Sequence, residues 1–445
     1  MNTGIEPDDS EPMEPVVPNT INGKALSDKE LAVLVGMNDK FAHVTMGGKH
    51  QVISTGFDGR NIESYQYESL TEFKNRFLHL PTIAGMNQGE AWQKWPGKRY
   101  YSEGLAFCPN PAKCNPHQYN LFRGFAIKPV AGTVEPFIQH VTQVVCAADL
   151  QSAKYVLQFF AHMLQKPDEK PSVAIVMKSI EGTGKGALMQ PFLNICGEYA
   201  AATNGAYQVT GRFNSVVGNK LLIFSDEVDL TDAKSADKLK ALISEPTVMI
   251  ERKGLDATPV GSYTRFVFAS NMDTVLKAGS RERRYLVLEP SPDLAQDKDY
   301  FDRYFAWLNN NGAAHLMHYL LNLDISDFDP RKAPSTQALL DEKLASLPMP
   351  LAFMYEELGK DKPFNGMVRP EPKDIQSMFS VFLENNGERQ TAAQMRSSLG
   401  KLFKDLQIKS VGRAGRGQVY DFSDMESIKQ SFARRIGQSV NELFS

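Results

Sequence analysis

Cysteine is scarce in this chain. Four residues in 445, at positions 108, 114, 146 and 196, are too few for a disulfide framework, so the secreted, stapled class is excluded. A leader with a charged start and an apolar centre is missing, and so is any long apolar run, so neither a signal peptide nor a membrane span is expected. The expected compartment is a reducing cytoplasm. Charge of neither sign is in excess. The formal net charge is -3, so contact with a polyanion would have to come from a local basic patch. What remains is a chain with 42% hydrophobic and 23% charged residues, the balance of a soluble globular protein. Its length exceeds one ordinary core, and two or three domains are expected.

Residues 1–24 are rich in Pro, Asp, Glu and Asn and read as a disordered tail. A mixed α/β region is expected over 25–137. Ser27 caps a short helix from Leu26 to Met37. Phe41 to Ile53 reads as a hairpin turning at Gly47-Gly48. Tyr65 to Leu78 reads as strand then helix, and Glu90 to Trp95 as a further short helix. Cys108, Cys114 and His117 lack a fourth partner at a ligand spacing, which favours ordinary loop packing over zinc. Ile138 to Leu164 is apolar at helical spacing, and His140 and His162 within it read as structural.

The informative stretch runs from Pro171 to Gln190, PSVAIVMKSIEGTGKGALMQ. Val173 to Met177 is an apolar run of the kind found in a buried parallel strand. The glycine-rich segment Glu181-Gly182-Thr183-Gly184-Lys185-Gly186 follows, and Ala187 opens a helix. Strand, glycine loop with lysine, then helix is the layout of a phosphate-binding loop. Glycines let backbone N–H groups approach phosphate oxygens, the helix N-terminus adds partial positive charge, and Lys185 adds a full one. Two departures stand out. Ser179 occupies the place of the first glycine, and Gly186 offers no hydroxyl to Mg²⁺, which leaves Thr183, water or a distant carboxylate. A glycine-rich strand–helix turn is the competing reading of this stretch alone.

Downstream, Lys220 to Ser225 reads as a second buried strand ending in Asp226 and Glu227. At the C-terminal end of a parallel strand these carboxylates would face the phosphate loop. Asp226 would hold Mg²⁺ and Glu227 would polarise a water. Asp237 to Ile243 is a helix. Thr247 to Gly254 reads as a strand running into a tight turn that carries Arg252 and Lys253. Tyr263 to Ser270 is a third buried strand ending at Asn271, which suits a γ-phosphate contact, or else a loop cap. Arg283 and Arg284 precede another strand and could stabilise phosphoryl charge or form surface ion pairs.

Asp299 to Leu321 is amphipathic helix, expected as a lid packed on the preceding domain, and 331–369 continues as a helical linker. Within 370–445, Asp374 to Asn385 and Thr391 to Leu406 are helices, followed by two strands around a Gly- and Arg-rich turn. Helix, helix, wing resembles a winged helix-turn-helix. Lys401, Lys404, Lys409, Arg413 and Arg416 make one side basic and suited to phosphate contacts, unless they are merely solvated charges on a packing domain.

The ordered motifs G-T-G-K-G, G-R-F-N-S, L-L-I-F-S-D-E, L-K-x-L-I, I-E-R-K-G, F-A-S-N and R-E-R-R-Y resemble the helicase module of phage and plasmid primase-helicases, related to superfamily III helicases. The resemblance is strongest over Ile138 to Pro290. It implies an α/β fold: an AAA+-like P-loop NTPase core with a parallel sheet over 138–330, flanked by the mixed N-terminal region and the winged-helix-like module. It implies an ATPase assembled as a ring, commonly a hexamer, using ATP and Mg²⁺. The residues Glu181 to Ala187 would bind nucleotide, with Lys185 as the phosphate lysine. Asp226 and Glu227 would be the metal and water-activating pair, and Asn271 the sensor. Arg283 or Arg284 would be a finger given to the next subunit, and Arg252 and Lys253 would lie on a pore hairpin near DNA. The family tolerates Gly at position 186. No acidic primase-polymerase pattern precedes Ile138, so the chain is expected to be the helicase part alone, with a primase as a possible separate partner. The expected function is ATP-dependent unwinding of DNA, with single-stranded DNA as the track. A non-unwinding initiator or helicase loader, and a P-loop kinase or metabolic nucleotide enzyme, are the rivals.

Overall fold

A computed structural model describes residues 17–57, 63–205, 207–211, 217–250, 258–279, 282–413 and 417–444. The chain divides into two compact units. One holds residues up to Ile127 with Lys166–Glu169 and Asn194–Tyr199, and the other holds the rest.

The first unit is built on a four-stranded sheet in the order Glu63–Ser69, Lys49–Phe57, Phe41–Met46, Tyr100–Tyr101. The Gly47-Gly48 turn closes the expected hairpin, with both glycines at positive φ. Ser27 caps the helix Asp28–Lys40 through a reciprocal capping box with Glu30. Leu34, Phe41, Phe73, Trp92 and Trp95 form its core, and Ile21 joins them fully buried. Ile21 sits in a short hairpin pairing Thr20–Ile21 with Lys24–Ala25. Residues 20–24 are therefore part of the folded body, although they were expected in the tail. Burying one isoleucine contributes roughly 2 kcal/mol, enough to hold so short a segment down.

The second unit is organised by a five-stranded, all-parallel sheet. We label its strands β1 (Ala174–Lys178), β2 (Ala200–Asn204), β3 (Leu222–Asp226), β4 (Arg265–Ser270) and β5 (Tyr285–Leu288). The spatial order is β2-β3-β4-β1-β5, with every pairing parallel. β4 is buried at every position and β1 at all but its last, Lys178, as the apolar runs predicted. This is the parallel-sheet α/β core that was expected within 138–330. Because the strands are parallel, all their C-terminal ends lie on one edge, and the residues following β1, β3 and β4 must meet there. An antiparallel hairpin, Thr247–Ile250 with Thr258–Gly261, is inserted between β3 and β4. Arg252 and Lys253 fall between its strands, outside the described residues.

Beyond the sheet, helices Gln337–Ala345 and Met349–Gly359 lead into the C-terminal module. Its helices Pro372–Asn385 and Ala392–Asp405 match the expected pair, the second capped by Thr391. The wing pairs Lys409–Arg413 with Gly417–Asp421. Arg416 lies outside the described residues. A third helix, Met425–Ile436, packs Ile428, Phe432 and Ile436 into the same core. That core also takes in Leu351, Phe353 and Met354, so the helical linker and the wing module share one apolar interior. The sequence boundary at 370 divides elements and not cores.

Candidate active site

The turn after β1 owes its shape to two glycines. Gly182 and Gly184 both adopt positive φ, +78° and +88°, a region costly for any residue with a Cβ. Space forbids a side chain as well. A Cβ on Gly182 would lie 2.5 Å from Cγ of Gln296, and one on Gly184 would lie 2.5 Å from Cε1 of His140. Thr183 between them is buried, its hydroxyl 2.7 Å from that of Ser179. Lys185 opens the following helix, Lys185–Cys196. Its ammonium donates to the carbonyls of Ser179 at 2.7 Å and Ile180 at 3.1 Å, and to Ser270 O at 3.4 Å. Burial pushes this ammonium below the usual lysine range, and the nearby carboxylates of Asp226 and Glu181 oppose the shift.

A single strand, β3, separated from β1 by β4, delivers the carboxylates. β3 ends at Asp226, and Glu227 follows with φ of +52°, so the chain turns sharply there. The Glu227 N–H donates to Asp226 Oδ1 at 2.9 Å, and Val228 N–H donates to Ala269 O of β4 at 3.0 Å. A non-glycine residue held at positive φ is strained, and such strain gathers at functional sites. After β4, Asn271 Nδ2 donates to Glu181 Oε1 at 3.3 Å, which aims the amide across the opening toward the glycine loop. Lys185, Asp226, Glu227, Asn271 and the loop Glu181–Ala187 thus line one cleft of about 550 Å³, within the usual range of small-molecule sites.

Several lining or supporting groups carried no motif. Gln296 N–H donates to Gly182 O at 3.0 Å. His140 is fully buried and bridges two elements, with Nε2 3.0 Å from Gly184 O and Nδ1 2.9 Å from Tyr300 Oη. A carbonyl only accepts, so Nε2 carries the proton and Nδ1 accepts from the tyrosine. Burial holds the imidazole down at about 4, with the Gly184 contact pulling the other way. Helix Lys298–Trp307 supplies Tyr300, Phe301 and Phe305, and Tyr304 Oη donates to Ala187 O at 2.9 Å. The amphipathic segment after β5 is in this sense a backing for the glycine loop. Its packing on the core was expected, and the signal for its contact with the loop is the five aromatics within one short helix.

The arginines are elsewhere. β5 pairs in parallel with β1, Tyr285 facing Ala174, so Arg283 and Arg284 lie at the N-terminal end of the sheet, opposite the cleft. Arg284 Nη1 is 3.2 Å from Oε1 of buried Glu282, which also accepts the N–H groups of both arginines at 3.0 Å. Arg283 is exposed. Neither arginine reaches this chain's own cleft. Lys401, Lys404 and Lys409 are exposed on the C-terminal module as expected.

A parallel α/β core, a glycine loop with two left-handed glycines before a helix and a carboxylate pair at the end of β3 define the chain's class of architecture. Its relatives place it further. A model of a family of unknown function, DUF5906, matches residues 177–284, the span from the end of β1 to the start of β5. The DNA primase-polymerase of Nitratiruptor phage NrS-1 is 23% identical over 255 residues, 56% of this chain and 33% of that protein. The chain therefore spans about a third of the length of this relative. Two apo structures of the NrS-1 C-terminal region share the fold. One has a TM-score of 0.66 at 16% identity, covering 89% of this chain and 99% of that one. The other has a TM-score of 0.67, covering 87% and 97%. The chain is thus similar in sequence to a phage DNA primase-polymerase and shares the fold of that protein's C-terminal region. Among the described residues no helix is long and apolar enough to cross a membrane.

Proposed function

We propose that this chain is the motor of a replicative DNA helicase, hydrolysing ATP between subunits of a ring. The observation that supports this most is the meeting of Lys185, Asp226, Glu227 and Asn271 with the left-handed glycine loop in one cleft. The residues fit a triphosphate with its metal. Loop amides and Lys185 would bind the β- and γ-phosphates. Thr183 is engaged with Ser179 and Gly186 has no hydroxyl, so Asp226 is the residue that would hold Mg²⁺, which keeps several waters and needs few protein ligands. Bound Mg²⁺ would neutralise charge on the phosphate oxygens. Glu227 would take the proton of the attacking water, and Asn271 would orient that water. Arg283, exposed at the far end of the sheet, would enter a neighbour's cleft, and Arg284 would serve the fold by pairing with Glu282. Exposed Ile180 and Met272 flank the loop and the sensor, and a subunit contact would cover them. The inserted hairpin and the basic side of the wing module would meet single-stranded DNA.

The test is hydrolysis and strand displacement with and without single-stranded DNA. The parent protein should show DNA-stimulated hydrolysis and should unwind a tailed duplex. Glu227→Gln should bind ATP and lose turnover by a factor on the order of 10² or more. DNA-stimulated hydrolysis without unwinding would identify an initiator or loader instead. Turnover indifferent to DNA, with a phosphorylated small molecule as product, would identify a kinase. Hydrolysis by Glu227→Gln at the parent rate would remove Glu227 from the chemistry.

A further inference from the structure

The cleft has a wall that phosphate chemistry does not explain. Helix Lys298–Trp307 turns Phe301 and Phe305 into it, one helical turn apart. Phe301 abuts the glycine loop, with ring carbons 2.9 and 3.0 Å from where a Gly184 Cβ would stand. Phe305 has no such structural duty. Its ring centroid lies 6.5 Å from that of Phe301 and 5.6 Å from that of Tyr304, yet it is 40% exposed. Tyr304 Oη donates to Ala187 O, which seats this turn of the helix beside the first turn after Lys185. The Gly186 Cα next to it faces open space. The space between the loop and Phe305 is therefore open past Gly186 and Ala187. Side chains able to read a base edge are few on this wall. Lys298 is paired with Asp302, and Gln296 is the remaining polar group.

We propose that Phe305, backed by Phe301, is the stacking platform for the nucleotide's base, so that this site recognises a nucleoside triphosphate by ring stacking at one end and phosphate at the other. This rests on the reading of the cleft as an ATP site. Stacking on an aromatic side chain is tolerant of base identity because every base has a π-face. Its loss by truncation costs on the order of tenfold in affinity, from the 1–3 kcal/mol per base typical of such contacts.

The experiment measures the Kd and KM for ATP and the inhibition by inorganic tripolyphosphate, which carries the phosphates and no base. The proteins are the parent, Phe305→Ala, Phe305→Trp and Lys185→Ala. In Phe305→Ala, Kd and KM for ATP should rise about tenfold with kcat unchanged, while tripolyphosphate should inhibit as it does in the parent. Phe305→Trp should restore ATP affinity. Lys185→Ala should lose both ligands. An ATP affinity unchanged in Phe305→Ala, with tripolyphosphate still competing in the parent, overturns the base platform and leaves the phosphate site standing. Failure of tripolyphosphate to compete in the parent overturns the phosphate site itself. A kcat that falls along with affinity in Phe305→Ala, unrepaired in Phe305→Trp, also counts against the platform, because it marks Phe305 as support for the loop.

Discussion

The cleft and the C-terminal module hold their functional groups in opposite ways. In the cleft, several of the groups that matter are held by partners within the chain, and Glu227 by its backbone turn. Lys185 lies over loop carbonyls, Asn271 on Glu181, and the loop is braced by His140 and Gln296. On the module, Lys401, Lys404 and Lys409 stand exposed to solvent, while the apolar residues beneath are tightly buried. The difference follows from the ligand each region would meet. A transition state rewards donors placed in advance, because no reorganisation is needed when charge develops. A polyanion such as DNA offers many equivalent charges, and mobile cations meet it without loss. Fixed groups should therefore show large effects on turnover, and free ones small effects on affinity.

Arg283 breaks that rule, and the largest effect is expected there. It is exposed and remote from its own cleft, as the module lysines are. If it enters a neighbour's cleft, it acts with the force of a fixed group, since arginines so placed change turnover by factors on the order of 10³. Arg283→Ala should keep ATP affinity and lose turnover. Mixing it with Lys185→Ala should restore part of the rate, because some interfaces then join an intact loop to an intact arginine. Arg284→Ala should behave differently. It removes a partner of buried Glu282, and its main cost should appear in thermal stability. If co-assembled mixtures regain no hydrolysis at any ratio, the arginine does not act between subunits.

The regions differed as much in how they could be read from sequence. The glycine loop, the Asp226-Glu227 pair and Asn271 were legible because each sits at the end of an apolar strand, and parallel strands bring such ends to one edge. The helix Ala392–Asp405 was legible from Thr391 and its apolar spacing. The roles of His140, Gln296 and Tyr300 in bracing the loop were not, because those links are made by tertiary packing between residues 44 to 160 apart in the chain. No local pattern reports such a contact. The helix Met425–Ile436 was missed although Asp424 caps its start and Gly437 ends it at positive φ, since its charged surface hid the spacing of Ile428, Phe432 and Ile436. Ile21 was missed because a single apolar residue does not outweigh a polar tail.

His140 sharpens the comparison, with an effect of intermediate size. Its ring is neutral and buried at about 4, against an ordinary 6.5. The unfolded chain therefore binds a proton that the folded chain refuses, and stability falls as pH drops from about 6.5 toward 4. Carried over the whole window, the loss is on the order of 3 kcal/mol. His43 of the first unit is also held near 4 by burial and by Lys98 and His50, and its contribution runs in the same direction. The measurement is the difference in pH slope of thermal stability between parent and His140→Gln. Glutamine removes the titration and keeps a donor for Gly184. The variant should be flatter over this window, whatever its stability at pH 7. Equal slopes would mean that His140 is not buried neutral against the loop.

The smallest effect is expected from the module. Lys401 and Lys404 lie on helix Ala392–Asp405, beside the wing strand that begins at Lys409. Neither holds the fold, so Lys401→Gln with Lys404→Gln should leave thermal stability within about 0.5 kcal/mol of the parent, the usual range for exposed substitutions. Hydrolysis without DNA should not change, because both are outside the cleft. What should change is the salt dependence of binding to single-stranded DNA. Each phosphate contact releases counterions and adds about 0.7 to the slope of log affinity against log salt on a single strand. Losing two should flatten it by about 1.4, with a modest fall in affinity at low salt. The same test on a duplex distinguishes the two basic regions further, since a wing that reads double-stranded DNA would lose about 1.8 there. An unchanged slope on both substrates would leave these lysines as solvated surface. DNA contact would then belong to the hairpin bearing Arg252 and Lys253, and the module would serve to hold the chain together through the interior that it shares with the linker helices.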